Sequence, residues 1–207
     1  MKLSVIGASG HGKVVADIAR LLGYNEIVFY DDNPSLTECG GWPVVGSTNC
    51  LEPGDTAVFV AIGNPEHRSR FMKRFRDAEM PVLVHPNAIV AADVCLGRGS
   101  VVMAGAVINP GSRAGEGVIV NTCASVDHDC VLGDYVHVAV GAHLCGLIHV
   151  GEKTWIGAGA IISNGISVCQ NCMIGAGAIV IRDLSAPGTY IGIPAKLHKS
   201  SMETEQL

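Results

Sequence analysis

The sequence predicts an α/β N-terminal domain with a small, Rossmann-like parallel sheet, followed by a parallel β-helix of hexapeptide repeats. Two observations carry this prediction: strand and helix patterns alternate in residues 1–80, and a six-residue periodicity runs through most of the remainder. The composition agrees, since hydrophobic residues make up 48% of the chain and aromatic residues only 5%, while glycine contributes 26 residues. Small aliphatic side chains favour stacked, repeated layers over an aromatic-anchored sandwich.

The periodicity appears when the chain is read in steps of six from Val90 to Val180. Of the sixteen positions reached, fifteen hold Leu, Ile or Val, and the exception is Ala114. Glycine often follows this aliphatic site, as at Gly97 and Gly133, and we expect it to let the backbone turn tightly. Units of six residues whose details recur after eighteen predict three flat faces per coil. The eighteen-residue recurrence is clearest in the alanines two places before the aliphatic site, namely Ala106, Ala124, Ala142, Ala160 and Ala178.

The N-terminal segment alternates buried strands with amphipathic helices, which predicts a small parallel sheet. A strand at residues 3–6 leads into the glycine-rich turn 7–12, and strands follow at residues 26–30 and 57–63. Asn64 is expected to cap the second helix, which has Pro65 at its first position and carries Phe71 and Phe75. The first helix is expected to end at Gly23 and to carry one apolar face, formed by Val14, Val15, Ile18, Leu21 and Leu22.

Ligands of such sheets bind at the carboxyl ends of the strands. Here those ends carry the glycine turn, the carboxylates Asp31 and Asp32, and Gly63 with Asn64. Free N–H groups at a glycine turn and helix start suit a pyrophosphate, and carboxylates suit ribose hydroxyls or a base edge. The glycine order is G-x-x-G-x-G and not the dinucleotide order G-x-G-x-x-G, so NAD binding is a weak prediction.

The net charge limits the classes of binding partner, and the cysteine content indicates the cellular compartment. A net charge of -5 argues against nucleic acid, and we expect the basic run at residues 68–76 to be a solvated helix face. No signal peptide is apparent before the first strand and no apolar run approaches a membrane span, so we expect a cytoplasmic protein. The eight cysteines are expected to be reduced thiols, including the close pair Cys169 and Cys172.

The histidines are the candidate chemical groups. His128 lies two positions after the inward Val126, at a turn or outer face, between Asp127 and Asp129. A histidine has the intrinsic pKa of a general base at neutral pH, and either carboxylate could orient it. His137, His143 and His149 occupy one repeat position on successive faces, so they are expected to point apart within a single chain and not to share a metal ion.

The whole pattern resembles the bacterial sugar N-acetyltransferases that act on UDP-4-amino-sugars in glycan biosynthesis, with sialic acid O-acetyltransferases as relatives. The motifs that carry the resemblance are GASGHGK at 7–13, Asp31-Asp32, Ile62-Gly63-Asn64, Asn121-Thr122, VDHD at 126–129 and GIPAK at 192–196. The resemblance implies a left-handed β-helix, a homotrimer, and acetyl-CoA as co-substrate, bound in the groove between two β-helices without a metal. It also implies a nucleotide-sugar domain at residues 1–82, an acyltransferase domain at 83–198 and a flexible tail at 199–207.

The same resemblance assigns roles to individual residues. It implies that His128 is the general base, Asp129 its acidic partner, His137 a second active-site histidine that contacts acetyl-CoA, and Asn121 a positioning residue. The nucleotide-sugar site is expected at Ser9, Gly10, His11, Gly12, Asp31, Asp32, Gly63 and Asn64. The acetyl-CoA site is expected at His137, Gly146, Ala158, Gly175, Ala176, Pro194 and Lys196.

The expected function is therefore acetyl transfer from acetyl-CoA to an amino group of a nucleotide-linked sugar, with a UDP-4-amino-4,6-dideoxy sugar as the acceptor. GDP- and dTDP-linked amino sugars and an acyl group larger than acetyl remain open. Two alternatives are a sialic acid O-acetyltransferase and a non-catalytic scaffold that binds nucleotide sugars. A zinc-dependent carbonic anhydrase, which uses the same repeat and three neutral imidazoles, is disfavoured because it has no use for the N-terminal domain.

Overall fold

The structure is a computed structural model that describes residues 1–52, 54 and 56–200. It contains an N-terminal α/β domain and a parallel β-helix, so the predicted fold class is confirmed. The predicted tail at 199–207 lies, from residue 201 onward, outside the described residues. Its first two residues continue the last strand, which runs from Lys196 to Ser200.

The N-terminal sheet has the strand order β3-β4-β2-β1-β5, in which only the β3–β4 pair is antiparallel. Parallel neighbours joined by helices place the carboxyl ends of β1, β2 and β5 at one edge. The elements are β1 (Lys2–Ile6), α1 (Gly10–Leu21), β2 (Glu26–Tyr30), β3 (Glu38–Cys39), β4 (Trp42–Gly46), a 3-10 helix (Thr48–Cys50), β5 (Ala57–Val60) and α2 (Pro65–Arg74).

Helix α2 begins as predicted. The Asn64 side chain accepts a hydrogen bond from the His67 backbone N–H at 3.1 Å, Pro65 is the first helical residue, and Phe71 and Phe75 are buried. A cap of this kind contributes about 1 kcal/mol to a helix.

Helix α1 differs in its buried face. Val15 and Ile18 are buried as predicted, but Val14 and Leu21 are 41% and 44% exposed, because the face that packs on the sheet is completed by Gly12, Ala16 and Ala19. The large apolar side chains alone therefore did not show which face of α1 is buried, because small residues form part of that face and let the helix pack closely on the sheet.

The β-helix has three faces, which the chain visits in turn. We call them the docked face, because the N-terminal domain packs on it, the second face and the third face. The docked face holds β6 (Leu83–Val84), β9 (Val101–Val102), β12 (Ile119–Val120), β15 (His137–Val138), β18 (Trp155–Ile156), β21 (Cys172–Ile174), β23 (Gly188–Ile191) and β24 (Lys196–Ser200). The second holds β7 (Ile89–Val90), β10 (Val107–Ile108), β13 (Ser125–Val126), β16 (His143–Leu144), β19 (Ile161–Ile162) and β22 (Ile179–Val180). The third holds β8 (Cys95–Leu96), β11 (Arg113–Ala114), β14 (Val131–Leu132), β17 (His149–Val150) and β20 (Ser167–Val168).

Three corners join these faces: the first corner lies between the docked and second faces, the second corner between the second and third, and the third corner between the third and docked. Successive coils pair in parallel with an eighteen-residue offset, for example Ile119 with His137. The inward aliphatic residues form one buried core with the alanine column, whose members are at most 1% exposed. Each buried Leu, Ile or Val contributes about 1.5–3 kcal/mol, so the stacked ladder stabilises the coils.

The turns of the β-helix contain residues with a positive φ, which the sequence pattern did not predict. Every sixth residue from Gly99 to Gly177 has a positive φ, and these positions include Cys123, Asp129, Tyr135, Leu147, Lys153 and Asn171 as well as glycines. The glycines that follow the inward residue, which we expected to make the turns, do something else. A Cβ at Gly133 would lie 2.7 Å from the Glu152 backbone nitrogen, so glycine is required there by the close approach of the next coil.

The N-terminal domain packs on the first coils of the docked face. Leu83, Val101 and Ile119 share one buried cluster with Leu3 and Phe29 of the sheet. The two parts of the chain are therefore joined through a common apolar core. Among the residues described, no helix combines the length and apolarity that crossing a membrane requires.

Candidate active site

His128 and Asp129 form a hydrogen-bonded pair at the second corner of the β-helix. The His128 Nδ1 atom lies 2.8 Å from Asp129 Oδ2, and both side chains are about half exposed. Because a carboxylate only accepts hydrogen bonds, it holds the proton on Nδ1 and leaves Nε2 with a free lone pair. The hydrogen bond that His128 donates to Asp129 is the main reason that the pKa of His128 is raised above its usual 6.5.

Asp127, the other flanking carboxylate, contacts the backbone and not the imidazole. Its Oδ1 atom accepts hydrogen bonds from the His128 backbone N–H at 2.8 Å and from Asn109 Nδ2 at 2.7 Å. The bond from Asn109, followed by the backbone N–H, lowers the pKa of Asp127. Of the two carboxylates left open by the sequence, Asp129 thus orients the ring in this structure and Asp127 shapes the turn.

A glycine makes room for the imidazole. Gly146 lies one coil further along the second corner, and a Cβ there would come within 2.5 Å of His128 Nε2. Asp129 itself has a φ of 57°, a backbone region that few residues other than Gly, Asn and Asp adopt. The turn is thus built to present the ring and its Nε2 atom at the surface.

His137 lies on the docked face, where the N-terminal domain covers it. It is 5% exposed, its ring stacks on Trp155 with centroids 4.3 Å apart, and the His11 ring is 6.3 Å away. Burial, followed by the charge of Arg68, lowers the pKa of His137 to about 3 and that of His11 to about 4. Both rings are therefore neutral at pH 7.

Asn121 fixes the orientation of the His137 ring. Its Oδ1 atom accepts a hydrogen bond from the Thr122 backbone N–H at 2.8 Å, which turns Nδ2 toward His137 Nε2 at 3.2 Å. With Nε2 accepting that bond, the ring proton lies on Nδ1. Within the described parts of the chain, His137 Nδ1 and His11 Nε2 are buried without a hydrogen-bond partner.

The edge of the N-terminal sheet forms a cleft of about 400 Å³. Its lining includes the predicted residues Ser9, Asp31, Asp32 and Gly63. The two carboxylates also fasten the local loops: Asp31 accepts hydrogen bonds from the N–H groups of Ala8 and Asn33, and Asp32 from the backbone and hydroxyl of Thr48. Gly7 and Ile62, from the predicted glycine turn and the Ile62-Gly63-Asn64 motif, also line the cleft. The remaining lining residues were not predicted from the sequence, namely Ile6, Tyr30, Thr48, Ala61, His67, Arg70 and Phe71.

The predicted nucleotide-site residues that do not line the cleft lie at helix starts beside it. Gly10 and His11 open α1, directly after Ser9, whose side chain makes no capping hydrogen bond. A Cβ at Gly12 would clash with the Gly7 carbonyl, so Gly12 allows α1 to pack on the glycine turn. Asn64 caps α2 just after β5.

The expected basic helix face is only partly solvated. Arg70, Lys73, Arg74 and Arg76 are exposed, but Arg68 is 1% exposed, so the prediction was wrong for this residue. Helical spacing predicted which residues share a side of α2, but it could not show that the β-helix covers part of that side.

The predicted acetyl-CoA residues do not form one site within a single chain, and of them only Gly146 lies against His128. Gly146 and His128 lie at the second corner, whereas Ala158, Gly175 and Ala176 follow docked-face strands at the first corner, and Pro194 and Lys196 lie near the last turn. His137 is on the docked face, opposite the second corner of the triangular coil. His143 and His149 lie on the second and third faces, apart from His137. In the part of the chain that the structure describes, no cluster of three or more His, Cys, Asp or Glu could hold a metal ion.

Comparisons with known proteins agree with this architecture. Residues 2–75 match the family model of the PglD N-terminal domain. The GDP-perosamine N-acetyltransferase of Escherichia coli O157:H7 is 31% identical over 134 residues, which are 62% of this chain and 60% of that protein. The chain thus spans less than two thirds of this curated relative.

Solved structures match almost the whole chain. The acetyltransferase domain of PglB from Neisseria gonorrhoeae FA1090 is 45% identical with a TM-score of 0.91, covering 95% of this chain and 98% of that one, and it has also been solved with acetyl coenzyme A. PerB from Caulobacter crescentus, in complex with CoA and GDP-perosamine, is 37% identical with a TM-score of 0.91, covering 96% and 98%. Given this identity over nearly full length and the shared two-part fold, the chain belongs to the bacterial hexapeptide-repeat family of acetyl-CoA-dependent amino-sugar N-acetyltransferases.

Proposed function

We propose that this chain transfers the acetyl group of acetyl-CoA to the amino group of a nucleotide-linked amino sugar, in bacterial glycan biosynthesis. The observation that carries the proposal is the His128–Asp129 pair, which presents a free imidazole nitrogen on a β-helix whose chain also bears a nucleotide-type cleft. Related proteins support it, since the PglB domain binds acetyl coenzyme A and PerB binds CoA with GDP-perosamine.

In the proposed reaction both substrates are bound together and react directly. His128 Nε2 takes a proton from the sugar amine as the nitrogen attacks the thioester carbonyl, so a C–N bond forms and the C–S bond breaks. The departing CoA sulfur takes up the proton from the imidazolium. Asp129 stabilises that imidazolium through the 2.8 Å contact with Nδ1. Holding both reactants in place supplies much of the rate without a covalent acyl-enzyme.

The neutral histidines at the domain junction suit the acceptor sugar. His137 Nδ1 and His11 Nε2 are buried and unpartnered within the described chain, and Gly63 of the cleft lies against the His137 ring. A buried polar atom without a partner costs free energy that a bound hydroxyl or amine would recover. We therefore place the sugar between the cleft and His137, with Asn121 as the residue that orients the ring. In this arrangement His137 contacts the acceptor sugar, whereas the family resemblance implied that it contacts acetyl-CoA.

We propose a homotrimer with active sites between copies. His128 and Gly146 lie at one corner, while the cleft, His137 and the first-corner residues lie on the opposite side of the same chain, so one copy does not complete the site. The second face also carries outward apolar side chains that a neighbour could cover, at Ile89, Val107, Ile161 and Ile179. Light scattering should give about three times the chain mass of 21.5 kDa, and a monomeric, active protein would contradict this assembly.

The nucleotide is proposed as UDP or GDP. A UDP-4-amino-4,6-dideoxy sugar fits the family that the sequence resembles, and the 37% identity to a protein solved with GDP-perosamine favours a GDP-linked amino sugar as a second candidate. We place the reaction in the cytoplasm, where all eight cysteines would remain the free thiols seen in the structure.

A thiol-release assay with acetyl-CoA against UDP-, GDP- and dTDP-amino-sugars and sialic acid tests the proposal. We expect rapid CoA release with one amino sugar and an acetamido product by mass spectrometry. Release only with sialic acid would make the protein an O-acetyltransferase. Binding of a nucleotide sugar without CoA release by any acceptor would indicate the non-catalytic scaffold.

A further inference from the structure

Arg68 is a buried cation with no carboxylate partner among the described residues. It is 1% exposed, and its guanidinium donates hydrogen bonds only to backbone carbonyls. Burial is the main cause that lowers the pKa of Arg68, to about 9, so it remains protonated at pH 7. Removing a charged group from water costs free energy, which hydrogen bonds to the group must offset. We therefore asked what the partners of this buried guanidinium have in common.

The four carbonyls come from both parts of the chain. Two belong to the β5–α2 turn at the edge of the nucleotide cleft, with Arg68 Nη1 2.8 Å from the Ile62 oxygen and 2.7 Å from the Gly63 oxygen. The other two belong to β-helix turns, with Nε 2.7 Å from the Gly117 oxygen and Nη2 bonded to the Tyr135 oxygen. The planar fork of a guanidinium can hold four such acceptors in fixed directions, which an ammonium cannot.

We propose that Arg68 is a positioning residue for acetyl transfer, which fixes the nucleotide-sugar cleft to the β-helix and so sets where the sugar amine lies relative to the acetyl group. This inference rests on the proposed function. It adds that Arg68 controls the placement of the nucleotide sugar and not that of acetyl-CoA. Arg68 does so without contacting either proposed substrate directly. Of the predicted acetyl-CoA residues, Gly146, Ala158, Gly175 and Ala176 lie at the first and second corners, whereas the β-helix carbonyls that Arg68 binds lie at the third corner. His137, which lies near Arg68, is assigned here to the acceptor sugar.

The surroundings of Arg68 add a second, independent readout. His11 on α1 and His137 on β15 both feel the Arg68 charge, which helps to lower their pKa values after burial, and Tyr135 faces the guanidinium from the third corner. Removing the charge should raise the pKa of both histidines, although burial keeps them below 6.5. Replacing arginine with lysine should keep much of that electrostatic effect and lose the fork.

The test compares Arg68→Lys and Arg68→Met with the wild type, and with Lys73→Met as a matched control that removes an exposed charge from the same helix. For both Arg68 variants we expect kcat/KM for the nucleotide sugar to fall roughly 10–100-fold, since small displacements of a reactant cost that much. The dissociation constant of acetyl-CoA should stay within about twofold, and Lys73→Met should behave as wild type. NMR titration should show raised His11 and His137 pKa values in Arg68→Met and a smaller rise in Arg68→Lys.

Two results would overturn the inference: an unchanged kcat/KM for the nucleotide sugar in a folded Arg68 variant, or an equal loss of affinity for acetyl-CoA. If Arg68→Met does not fold, Arg68→Lys provides the test, because it retains the charge and most of the side-chain volume. The same two quantities are compared: kcat/KM for the nucleotide sugar and the dissociation constant of acetyl-CoA. A wild type that turns over no acceptor would instead count against the proposed function. In that case, direct titration with UDP- and GDP-sugars still tests whether Arg68 orders the cleft, and unchanged nucleotide-sugar affinity in both variants would reject that role.

Discussion

At the scale of the residue, the two carboxylates beside His128 contact different atoms and should have different effects. Asp129 touches Nδ1 of the ring, and Asp127 caps the backbone N–H and is held by Asn109. In the proposed mechanism only the first contact changes as the imidazole becomes charged. The free nitrogen, Nε2, faces the space that Gly146 leaves open.

We predict that Asp129→Asn lowers the pKa of His128 toward 6.5, because the hydrogen bond that the ring donates to the carboxylate is the largest cause of its elevation. The acid limb of the pH profile of kcat/KM should then move to lower pH. The plateau rate should fall at least about tenfold, since a neutral amide stabilises the imidazolium poorly. The measurement is kcat/KM for the amino sugar between pH 5 and 9. Asp127→Asn provides the contrast with a smaller shift, and an acid limb that stays in place in Asp129→Asn would contradict the assignment.

Among the elements, the third corner of the β-helix brings the backbones of successive coils close together. Gly97, Gly115, Gly133 and Gly151 stack there at eighteen-residue intervals, and a Cβ on any of them would overlap the backbone of the next coil. The sequence pattern located this column, but its cause is coil-to-coil distance and not turn conformation.

We predict that Gly133→Ala destabilises the protein by about 1–3 kcal/mol, as expected for overpacking against backbone that cannot move aside. Ser163→Ala, at the same repeat position on the second face, should change stability by less than about 0.5 kcal/mol. Urea unfolding at a fixed protein concentration measures both, because stability of an oligomer depends on concentration. Equal stabilities for the two variants would show that the corner relaxes around the added methyl group.

The elements also show which features a sequence can predict. The inward ladder, the alanine column and the Asn64 cap were all correct because each is a local or periodic requirement. The positive-φ turn position was missed because residues such as Leu147 and Lys153 occupy it as well as glycine. The burial of Arg68 and the approach of His11 to His137 were missed because both arise where distant segments pack, which periodicity within either segment does not show.

At the scale of the whole molecule, the junction between the two domains buries neutral histidines. His11 and His137 have folded-state pKa values of about 4 and 3, below the usual 6.5. At pH values between each folded-state pKa and 6.5, the unfolded chain binds more protons than the folded chain, so the free energy of unfolding falls as the pH decreases. The contribution of both groups is fully retained only above about pH 6.5.

We predict a loss of about 1.4 kcal/mol in the free energy of unfolding per pH unit for each of these histidines in the lower part of that range. Denaturant unfolding of the wild type from pH 7.5 to 5 should show the decline, and His11→Gln should reduce its slope by about half. A free energy of unfolding that stays flat down to pH 5 would mean that the junction admits charged histidines.

If the chain is an amino-sugar N-acetyltransferase with His128 as its base, loss of His128 should slow acetyl transfer itself, which a single-turnover experiment measures. Wild type, His128→Ala and the exposed control His149→Ala would each be saturated with acetyl-CoA and mixed with the amino sugar identified by the thiol-release assay. We predict that His128→Ala binds CoA normally but forms the acetamido product at least about 10²-fold more slowly, with His149→Ala unaffected. Product formation at the wild-type rate by His128→Ala would show that His128 is not the base.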